Sequence, residues 1–215
     1  MTVPEALPPS KLGTLEYWDD FYTREIENFA ENDEDLGECW FSESGAEDKV
    51  VDYAIELQPS SVLDLGTGNG HLLFSLRDAG SDAQMLGIDY SKTSVLLASR
   101  IAAAKGYNVD FAHVDFLAGG WAPPTAPFDL VLDKGTLDAI ALSGVHYDGK
   151  PATQHYAQVV RPLVKPGGVF LITSCNFTAQ ELAALFVAPF DAIEYPKFSF
   201  GGSEGSAVVT LAFKF

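Results

Sequence analysis

The sequence predicts an α/β, Rossmann-like fold: N-terminal helices, then a mostly parallel seven-stranded sheet that ends in a C-terminal antiparallel hairpin. Short apolar runs alternate with helical stretches from residue 61 onward, as in a doubly wound sheet. One apolar run leads into a turn that contains Gly66, Gly68 and Gly70, and the next ends on Asp89, 19 residues after Gly70. Two strand-like runs around a glycine-rich segment close the chain.

The individual elements follow from periodicity and turn residues. Aromatic and apolar residues at helical spacing predict an amphipathic helix over 16–29, and a second helix is predicted over 46–57. The parallel strands are predicted at 61–66, 84–89, 109–114, 128–133 and 167–174. The helices among and after them are predicted at 70–79, 92–105, 152–163 and 178–187. The final hairpin is predicted from strands at 190–199 and 206–214, with a turn at 201–205.

The length of 215 residues suits one domain with its own core, and no internal repeat is visible. We expect residues 1–10 to form a disordered lead and residues 11–58 an acidic helical cap. Residues 59–215 then form the main domain, and cap and core are expected to make one globular unit. The sequence predicts a monomer.

Cysteine usage and hydropathy indicate a cytoplasmic protein. Cys39 and Cys175 are the two cysteines and form no C-x-x-C motif, so free thiols in a reducing compartment are expected. The first ten residues do not resemble a signal peptide. No apolar run approaches the ~20 residues that a membrane-spanning helix needs, so no membrane partner is expected.

The net charge of −17 is concentrated near the N-terminus. Between Glu16 and Asp48, 13 acidic residues face a single basic residue, Arg24. Direct binding to nucleic acid is disfavoured, because phosphate backbones require Lys and Arg. A negative surface instead favours a basic protein partner. The alternative interpretation is a solvated acidic face that only aids solubility.

The glycine-rich turn indicates which nucleotide-like ligand the fold would bind. A dinucleotide site of the form G-x-G-x-x-G would need glycine at position 71, where this chain has His71. Asp64 precedes the first glycine by two residues; its carboxylate would repel a pyrophosphate but suits a ligand with an ammonium and a sulfonium. The pattern therefore favours S-adenosylmethionine over NAD.

Each part of the predicted cofactor site has a chemical role. The glycines allow close backbone approach, and the following helix N-terminus faces the methionine carboxylate. Asp64 accepts from the methionine ammonium, and Asp89 accepts from the ribose hydroxyls. Asp115 accepts from the adenine amino group, and Phe116 covers the ring. The predicted cofactor residues are Trp18, Asp64, Gly66, Thr67, Gly68, Asn69, Gly70, Asp89, Tyr90, Asp115, Phe116 and Asp133.

The acidic pair Asp133 and Asp138 follows the fourth strand, at the end of the sheet where the methyl acceptor belongs. Methyl transfer needs a lone pair held in line with the sulfonium. For a lysine acceptor, Asp133 and Asp138 are predicted as the catalytic residues that bind and aim the ammonium. The alternative is that Asp133 only contacts the cofactor and Asp138 caps the next helix.

Aromatic residues near the N-terminus are candidates for the roof of this pocket, because aromatic faces favour a sulfonium or an ammonium. The candidates are Tyr17, Trp18, Trp40 and Phe41, and the alternative for each is ordinary core packing. The four histidines, at 71, 113, 146 and 155, show no metal-ligand spacing, so the sequence predicts no metal site.

Several motifs together resemble one family. They are Leu12-Gly13-Thr14 with Tyr17-Trp18, Asp64 to Gly70, Asp133-Lys134-Gly135-Thr136-Leu137-Asp138-Ala139, and Pro196-Lys197-Phe198-Ser199-Phe200-Gly201-Gly202. Over residues 10–215 the chain resembles the elongation factor 1-alpha lysine methyltransferases of the fungal elongation factor methyltransferase 4 type. That family belongs to the class I, seven-stranded, S-adenosylmethionine-dependent methyltransferases.

The resemblance implies a cytosolic enzyme that methylates a lysine of translation elongation factor 1-alpha, an RNA-binding factor with a basic surface. It implies cofactor roles for Asp64, Gly66, Asp89, Asp115 and Phe116, and a place for Asp133 between cofactor and substrate. Leu137 stands where some relatives carry Phe, which bears on the methyl-accepting slot. Two alternatives stay open: a methyltransferase for a small molecule or another protein, and a non-catalytic adaptor that keeps the fold.

Overall fold

The computed structural model describes residues 7–123, 127–195, 198–200, 203–205 and 208–215. Its α-helices are α1 (Leu15–Glu31), α2 (Ala46–Leu57), α3 (His71–Asp78), α4 (Lys92–Lys105), α5 (Thr136–Ala141), α6 (Ala152–Val160) and α7 (Ala179–Phe186). Short 3-10 helices lie at Lys11–Gly13, Ser42–Ser44 and Arg161–Leu163. Its strands are β1 (Ser61–Leu65), β2 (Gln84–Asp89), β3 (Asp110–His113), β4 (Phe128–Lys134), β5 (His146–Tyr147), β6 (Lys150–Pro151), β7 (Val164–Ser174), β8 (Phe190–Ile193), β9 (Phe198–Phe200), β10 (Ser203–Gly205) and β11 (Val209–Lys214).

Seven strands form the main sheet in the order β3-β2-β1-β4-β7-β11-β8. Neighbours from β3 to β7 pair in parallel, whereas β11 runs antiparallel to both β7 and β8. The predicted fold class is confirmed. The strand order reverses between β1 and β4, and ligands of open α/β sheets bind beside the carboxyl ends of strands at such a point.

The C-terminal hairpin differs in detail from the prediction. The strand predicted over 190–199 ends at Ile193, and β8 pairs with β11 from Ile193 and Thr210 onward. A separate ribbon of β9 and β10 stands between them, with Phe200 opposite Ser203. Residues 203–205 of the predicted turn form strand β10, and Gly201-Gly202 lie outside the described residues. Residues 1–6 of the predicted disordered lead also lie outside them.

Strand β1 is buried along its whole length because helices cover both faces of the sheet. Leu63 and Leu65 pack into the cluster that contains Tyr156 and Phe170. Val62, on the opposite face, packs into the cluster formed with α2 and α3. Alternate residues thus anchor two cores, and the carboxyl end of β1 is held rigidly where the glycine turn begins.

Helix α1 packs against α4. The Thr14 side chain caps it, and Phe29 is buried against Leu97 and Ile101 of α4. The Asp19 carboxylate accepts hydrogen bonds from the Ser91 hydroxyl at 2.6 Å and the Thr93 hydroxyl at 2.9 Å. These bonds attach α1 to the N-terminus of α4, directly after Asp89.

The last glycine of the turn is required by packing as well as by backbone conformation. Gly70 has φ +84°, and a Cβ placed there would lie 2.8 Å from ring atoms of Phe74 and Phe111. Gly80 has φ +89°, and no atom of the described residues lies within 4 Å of such a Cβ. Substitution of Gly80 therefore tests backbone strain alone, whereas substitution of Gly70 tests backbone strain together with a steric clash.

We expect Gly70→Ala to destabilise the cofactor-free protein more than Gly80→Ala. Gly80→Ala should cost roughly 1–2 kcal/mol for the left-handed backbone alone. Gly70→Ala adds overpacking against two aromatic rings, for roughly 1–3 kcal/mol more. Urea unfolding of both variants measures the difference, and equal losses would contradict the steric role of Phe74 and Phe111.

Candidate active site

A cavity of about 250 Å³ opens beside the carboxyl ends of β1, β2 and β4. Its walls come from the glycine turn, the loops after β2 and β3, helix α5, and the N-terminal segment that includes α1. Nine predicted cofactor residues line it: Trp18, Gly66, Thr67, Gly68, Asn69, Asp89, Tyr90, Asp115 and Phe116. The structure therefore brings most of the predicted site together in one place.

Asp89 holds the glycine turn in position. The carboxylate is 6% exposed and accepts hydrogen bonds from the backbone N–H of Gly68 at 3.0 Å and of Ser91 at 2.9 Å. Burial raises its pKa, and these two amides oppose that shift. A carboxylate oxygen has further lone-pair capacity, so Asp89 can still accept from a ligand hydroxyl in the cavity.

The neighbouring turn residues have different partners. The Asn69 side-chain amide donates to the carbonyl oxygens of Leu36 at 2.9 Å and Glu38 at 3.2 Å. The Thr67 hydroxyl is buried on the cavity wall and, within the described part of the chain, is without a hydrogen-bond partner. An unsatisfied buried hydroxyl costs free energy, and the polar group that this hydroxyl affects is the Asp64 carboxyl below it.

Asp64 lies beneath the glycine turn rather than on the cavity wall, and its side chain is almost completely buried. Burial raises the pKa of this carboxyl to about 7, against the opposing effects of the Thr67 hydroxyl and the Lys134 ammonium. The Thr67 hydroxyl is close enough to affect Asp64 but does not meet hydrogen-bond geometry. Gly70 also lies off the wall, where its contacts are with Phe74 and Phe111.

The two predicted catalytic acids point into the protein and do not line the cavity. Asp133 accepts hydrogen bonds from the N–H of Thr136 at 2.9 Å, from the N–H of Leu137 at 3.0 Å, and from the Tyr156 hydroxyl. It therefore caps α5 from the end of β4. Burial raises its pKa to about 8.

Asp138 connects α5 to the end of β7. Its carboxylate accepts from the Ser174 hydroxyl at 2.6 Å and from the N–H groups of Cys175 and Asn176, each at 3.1 Å. It lies within α5, so it is not the cap of that helix. Leu137 is fully buried and off the cavity wall, so its link to the methyl-accepting slot is indirect.

Side chains that sequence reasoning did not assign also line the cavity: Tyr22, Glu38, Lys134 and Tyr147. Tyr22 follows Trp18 by one helical turn, a spacing that could have identified it. Tyr147 comes from the short β5–β6 hairpin, where its ring stacks on His155 at 4.2 Å. Among the candidate roof residues, Trp18 and Trp40 line the cavity, whereas Tyr17 and Phe41 do not.

Comparison with known proteins identifies the family. A methyltransferase domain model matches residues 58–202. The chain is 46% identical to "Protein-lysine N-methyltransferase EFM4" of Saccharomyces cerevisiae, over 96% of each chain. It is 38% identical to "EEF1A lysine methyltransferase 2" of Homo sapiens, over 96% of this chain and 87% of the human one.

The chain belongs to the EFM4 family of protein-lysine N-methyltransferases. This confirms the resemblance drawn from the sequence motifs. Among solved structures, the magnesium protoporphyrin IX methyltransferase ChlM from Synechocystis PCC 6803 aligns with TM-score 0.56 at 17% identity, covering 90% of this chain and 97% of that one. That similarity shows a shared fold.

As an EFM4-family enzyme, the protein uses S-adenosylmethionine as its methyl donor. The cavity fits this group: Asp89 on its wall can accept from hydroxyls, and Gly66 and Gly68 leave the backbone of the turn open to a ligand. In the described ranges, no helix combines the length and apolarity needed to cross a bilayer.

Asp64 should make the stability of the cofactor-free enzyme fall as pH rises. Its pKa is about 7 in the folded chain but about 3.9 in an unfolded chain, so the folded state holds an extra proton between these values. Asp64→Asn removes this titration. We expect the variant to gain roughly 1–3 kcal/mol relative to the parent between about pH 5 and about pH 8.

Urea unfolding of parent and variant at both pH values provides the measurement. Asp110→Asn, at an exposed acid at the start of β3, is the matched control and should show no such gain. A stability difference for Asp64→Asn that does not change with pH would disprove the buried titration.

Proposed function

We propose that this enzyme methylates a lysine of translation elongation factor 1-alpha. The main support is similarity over nearly the full length to two relatives whose names state that activity. Both are called "EEF1A lysine methyltransferase 2": the human protein is 38% identical to this chain, and the Danio rerio protein is 39% identical. The similarity extends beyond the cofactor loop to 96% and 99% of this chain. Shares this large include the part of the N-terminal segment that lines the cavity, with Trp18 and Trp40.

The cofactor would lie over the turn from Gly66 to Gly70. Asp89 would accept from the ribose hydroxyls, and Thr67 would contact the cofactor from the wall of the cavity. Asp115 and Phe116, at the adjacent wall, would bind the adenine, and Trp18 would cover the opposite side. Asn69 and Tyr90 complete this wall. Bound at these residues, S-adenosylmethionine supplies a methyl group on a sulfonium.

Asp64 has an indirect role in this proposal. Its carboxyl lies below the turn, where a nearby ammonium would favour the ionised form. The methionine ammonium would thus be held through the turn or through water, consistent with the buried position of Asp64.

Asp133 and Asp138 are proposed as positioning residues rather than as direct acceptors from the substrate ammonium. Asp133 holds the first turn of α5, and Asp138 holds α5 against the end of β7. The cavity-lining residues Gly135, Thr136 and Ala139 are thereby fixed. Since in-line transfer depends on angstrom-scale placement, loosening α5 should slow turnover more than it weakens cofactor binding.

The acceptor lysine must be neutral to attack the methyl carbon. Deprotonation of a free lysine at pH 7 costs about 4–5 kcal/mol. Burial of the amine between apolar wall residues such as Trp40 and Ile140 would reduce this cost, because desolvation disfavours the charged form. The proton would leave to solvent before transfer.

The acidic N-terminal segment supports a basic protein substrate. Acidic side chains of α1 and the following loop are exposed, including Asp20, Glu27, Glu31 and Asp33. The same charge disfavours nucleic acid as a partner. We further propose a cytoplasmic monomer in which residues 11–58 and 59–215 act as one globular unit, consistent with the attachment of α1 to α4 through Asp19.

Incubation with labelled S-adenosylmethionine and purified elongation factor 1-alpha, followed by mass spectrometric mapping, tests the substrate. We expect label on one lysine of the factor. The rate should fall as salt is raised, since exposed charges are screened beyond about 10 Å at 0.1 M. Label confined to a different protein or to a small molecule would refute the proposed substrate.

Two variants separate cofactor binding from positioning. Asp89→Ala should weaken S-adenosylmethionine binding by more than about tenfold, because it removes a charged hydrogen-bond acceptor and frees Gly68. Asp133→Ala should lower kcat by a larger factor than it raises the cofactor Kd. Calorimetric titration and turnover measurements compare the two, and normal turnover of Asp133→Ala would exclude its positioning role.

A further inference from the structure

Three side chains of the types that ligate transition metals converge behind the cavity wall. The Cys39 Sγ lies 3.1 Å from Glu47 Oε2, and the His71 Nδ1 lies 2.5 Å from Glu47 Oε1. All three ligand atoms lie within 4.8 Å of one another. They come from the loop after α1, from α2 and from the first residue of α3, so only the folded chain brings them together.

We propose that Cys39, Glu47 and His71 form a binding site for a thiophilic divalent cation, with Zn²⁺ as the best fit. One sulfur, one imidazole nitrogen and one carboxylate oxygen are ligands that Zn²⁺ accepts, and water can complete the tetrahedron. Mg²⁺ and Ca²⁺ prefer oxygen ligands throughout, so this donor set disfavours them. The proposal stands independently of the protein substrate.

The geometry requires only a small adjustment. With Zn–N and Zn–O bonds of about 2.0–2.2 Å, tetrahedral ligand atoms lie about 3.3–3.6 Å apart. The Glu47 carboxylate would therefore move from His71 by about 1 Å. Cys39 Sγ and Glu47 Oε2 are already 3.1 Å apart, so this pair of ligand atoms would move by a smaller distance. Binding would displace the proton that His71 Nδ1 donates to Glu47 and the thiol proton of Cys39, and both protons would pass to solvent.

The residues around the three ligands orient Glu47 and leave a path for an ion to enter. The Ser75 hydroxyl donates to Glu47 Oε1 at 2.7 Å, as an outer ligand-orienting partner does. The Glu47 side chain is 9% exposed and that of His71 31% exposed, so an ion can enter past the imidazole. Lys134 Nζ, 3.5 Å from Glu47 Oε2, opposes a cation. The thiolate and the carboxylate carry two negative charges against that one.

A cation at this site would act on the wall of the active-site cavity without touching the cofactor. Cys39 stands between Glu38 and Trp40, and both neighbours line the cavity. Ligation of Cys39 would fasten this part of the wall to α2 and α3. We therefore expect metal binding to raise the thermal stability of the protein.

Spectroscopy with Co²⁺ in place of Zn²⁺ tests the site in the reduced, full-length chain. Thiolate ligation gives a sulfur-to-Co²⁺ charge-transfer band in the near ultraviolet. We expect this band at one equivalent of Co²⁺, its loss on addition of Zn²⁺, and its loss in Cys39→Ser. Chelator competition should show Zn²⁺ affinity reduced by more than about tenfold in Cys39→Ser and in His71→Asn.

Cys175→Ser is the matched control, since Cys175 is the other cysteine of the chain and is exposed. It should keep the band and the affinity. At a hundredfold excess over Kd, Zn²⁺ should raise the Tm of the parent and of this control by roughly 5–10 °C. His71→Asn keeps both thiols, and its reduced Zn²⁺ affinity provides the test if Cys39→Ser fails to fold. Absence of the band in the parent, or its survival in Cys39→Ser, would overturn the proposal.

Discussion

The buried carboxylate of Asp89 is the interaction on which the active site depends. It accepts from Gly68 of the glycine turn and from Ser91 at the start of α4. The Ser91 hydroxyl in turn donates to Asp19 of α1, and the Ser94 hydroxyl donates to the Gly68 carbonyl at 2.7 Å. Turn, strand end, helix cap and N-terminal helix thus share one hydrogen-bond network. Because such networks are costly to leave partly satisfied, the cavity wall is held in place before any ligand binds.

Burial acts differently on the acids around the cavity. Burial is the largest effect on Asp64 and Asp133, and their pKa values rise to about 7 and about 8; for Asp64 the charge of Lys134 offsets burial only in part. Glu47 is also desolvated, but its hydrogen bond from His71 and the charge of Lys134 outweigh burial and lower its pKa to about 2. Glu47 is therefore an anion that joins α2, α3 and β4, whereas the two aspartates can hold protons.

Much of the fold could be predicted because its signals are local. The parallel strands and their intervening helices follow from apolar runs, and β1, β2 and β4 lie within a residue or two of their expected bounds. Helix α5 has six residues, too few for a periodic signal, and was not predicted. The sequence predicted one long hairpin, whereas β9 and β10 form a separate ribbon. Glycine residues indicate a turn, but they do not determine which strands pair across it.

Residues of the candidate site could also be predicted where their signals are local, and not where they depend on distant contacts. Eight of the nine predicted cofactor residues on the cavity wall end or follow β1, β2 and β3, and the carboxyl ends of neighbouring parallel strands meet at one edge of the sheet. The ninth, Trp18, comes from α1. Lys134 was missed, since its side chain is held by the carbonyl oxygen of Trp40, 94 residues away in the chain. Tyr147 was missed because it lies in the β5–β6 hairpin, whose two-residue strands are too short to give a pattern. The inward direction of Asp133 was likewise decided by the amides of α5 and by Tyr156.

The sequence by itself determined the class of ligand. Residues 64–71 are contiguous, so the spacing of Asp64, three glycines and His71 specifies a loop that disfavours a dinucleotide whatever surrounds it. Only the tertiary structure decided what His71 does. It placed Cys39 and Glu47 beside that imidazole from segments 32 and 24 residues away, which no spacing rule could indicate. Covalent neighbours are fixed by the chain, whereas these partners meet because α1 and α2 bury their apolar faces against the sheet and α4.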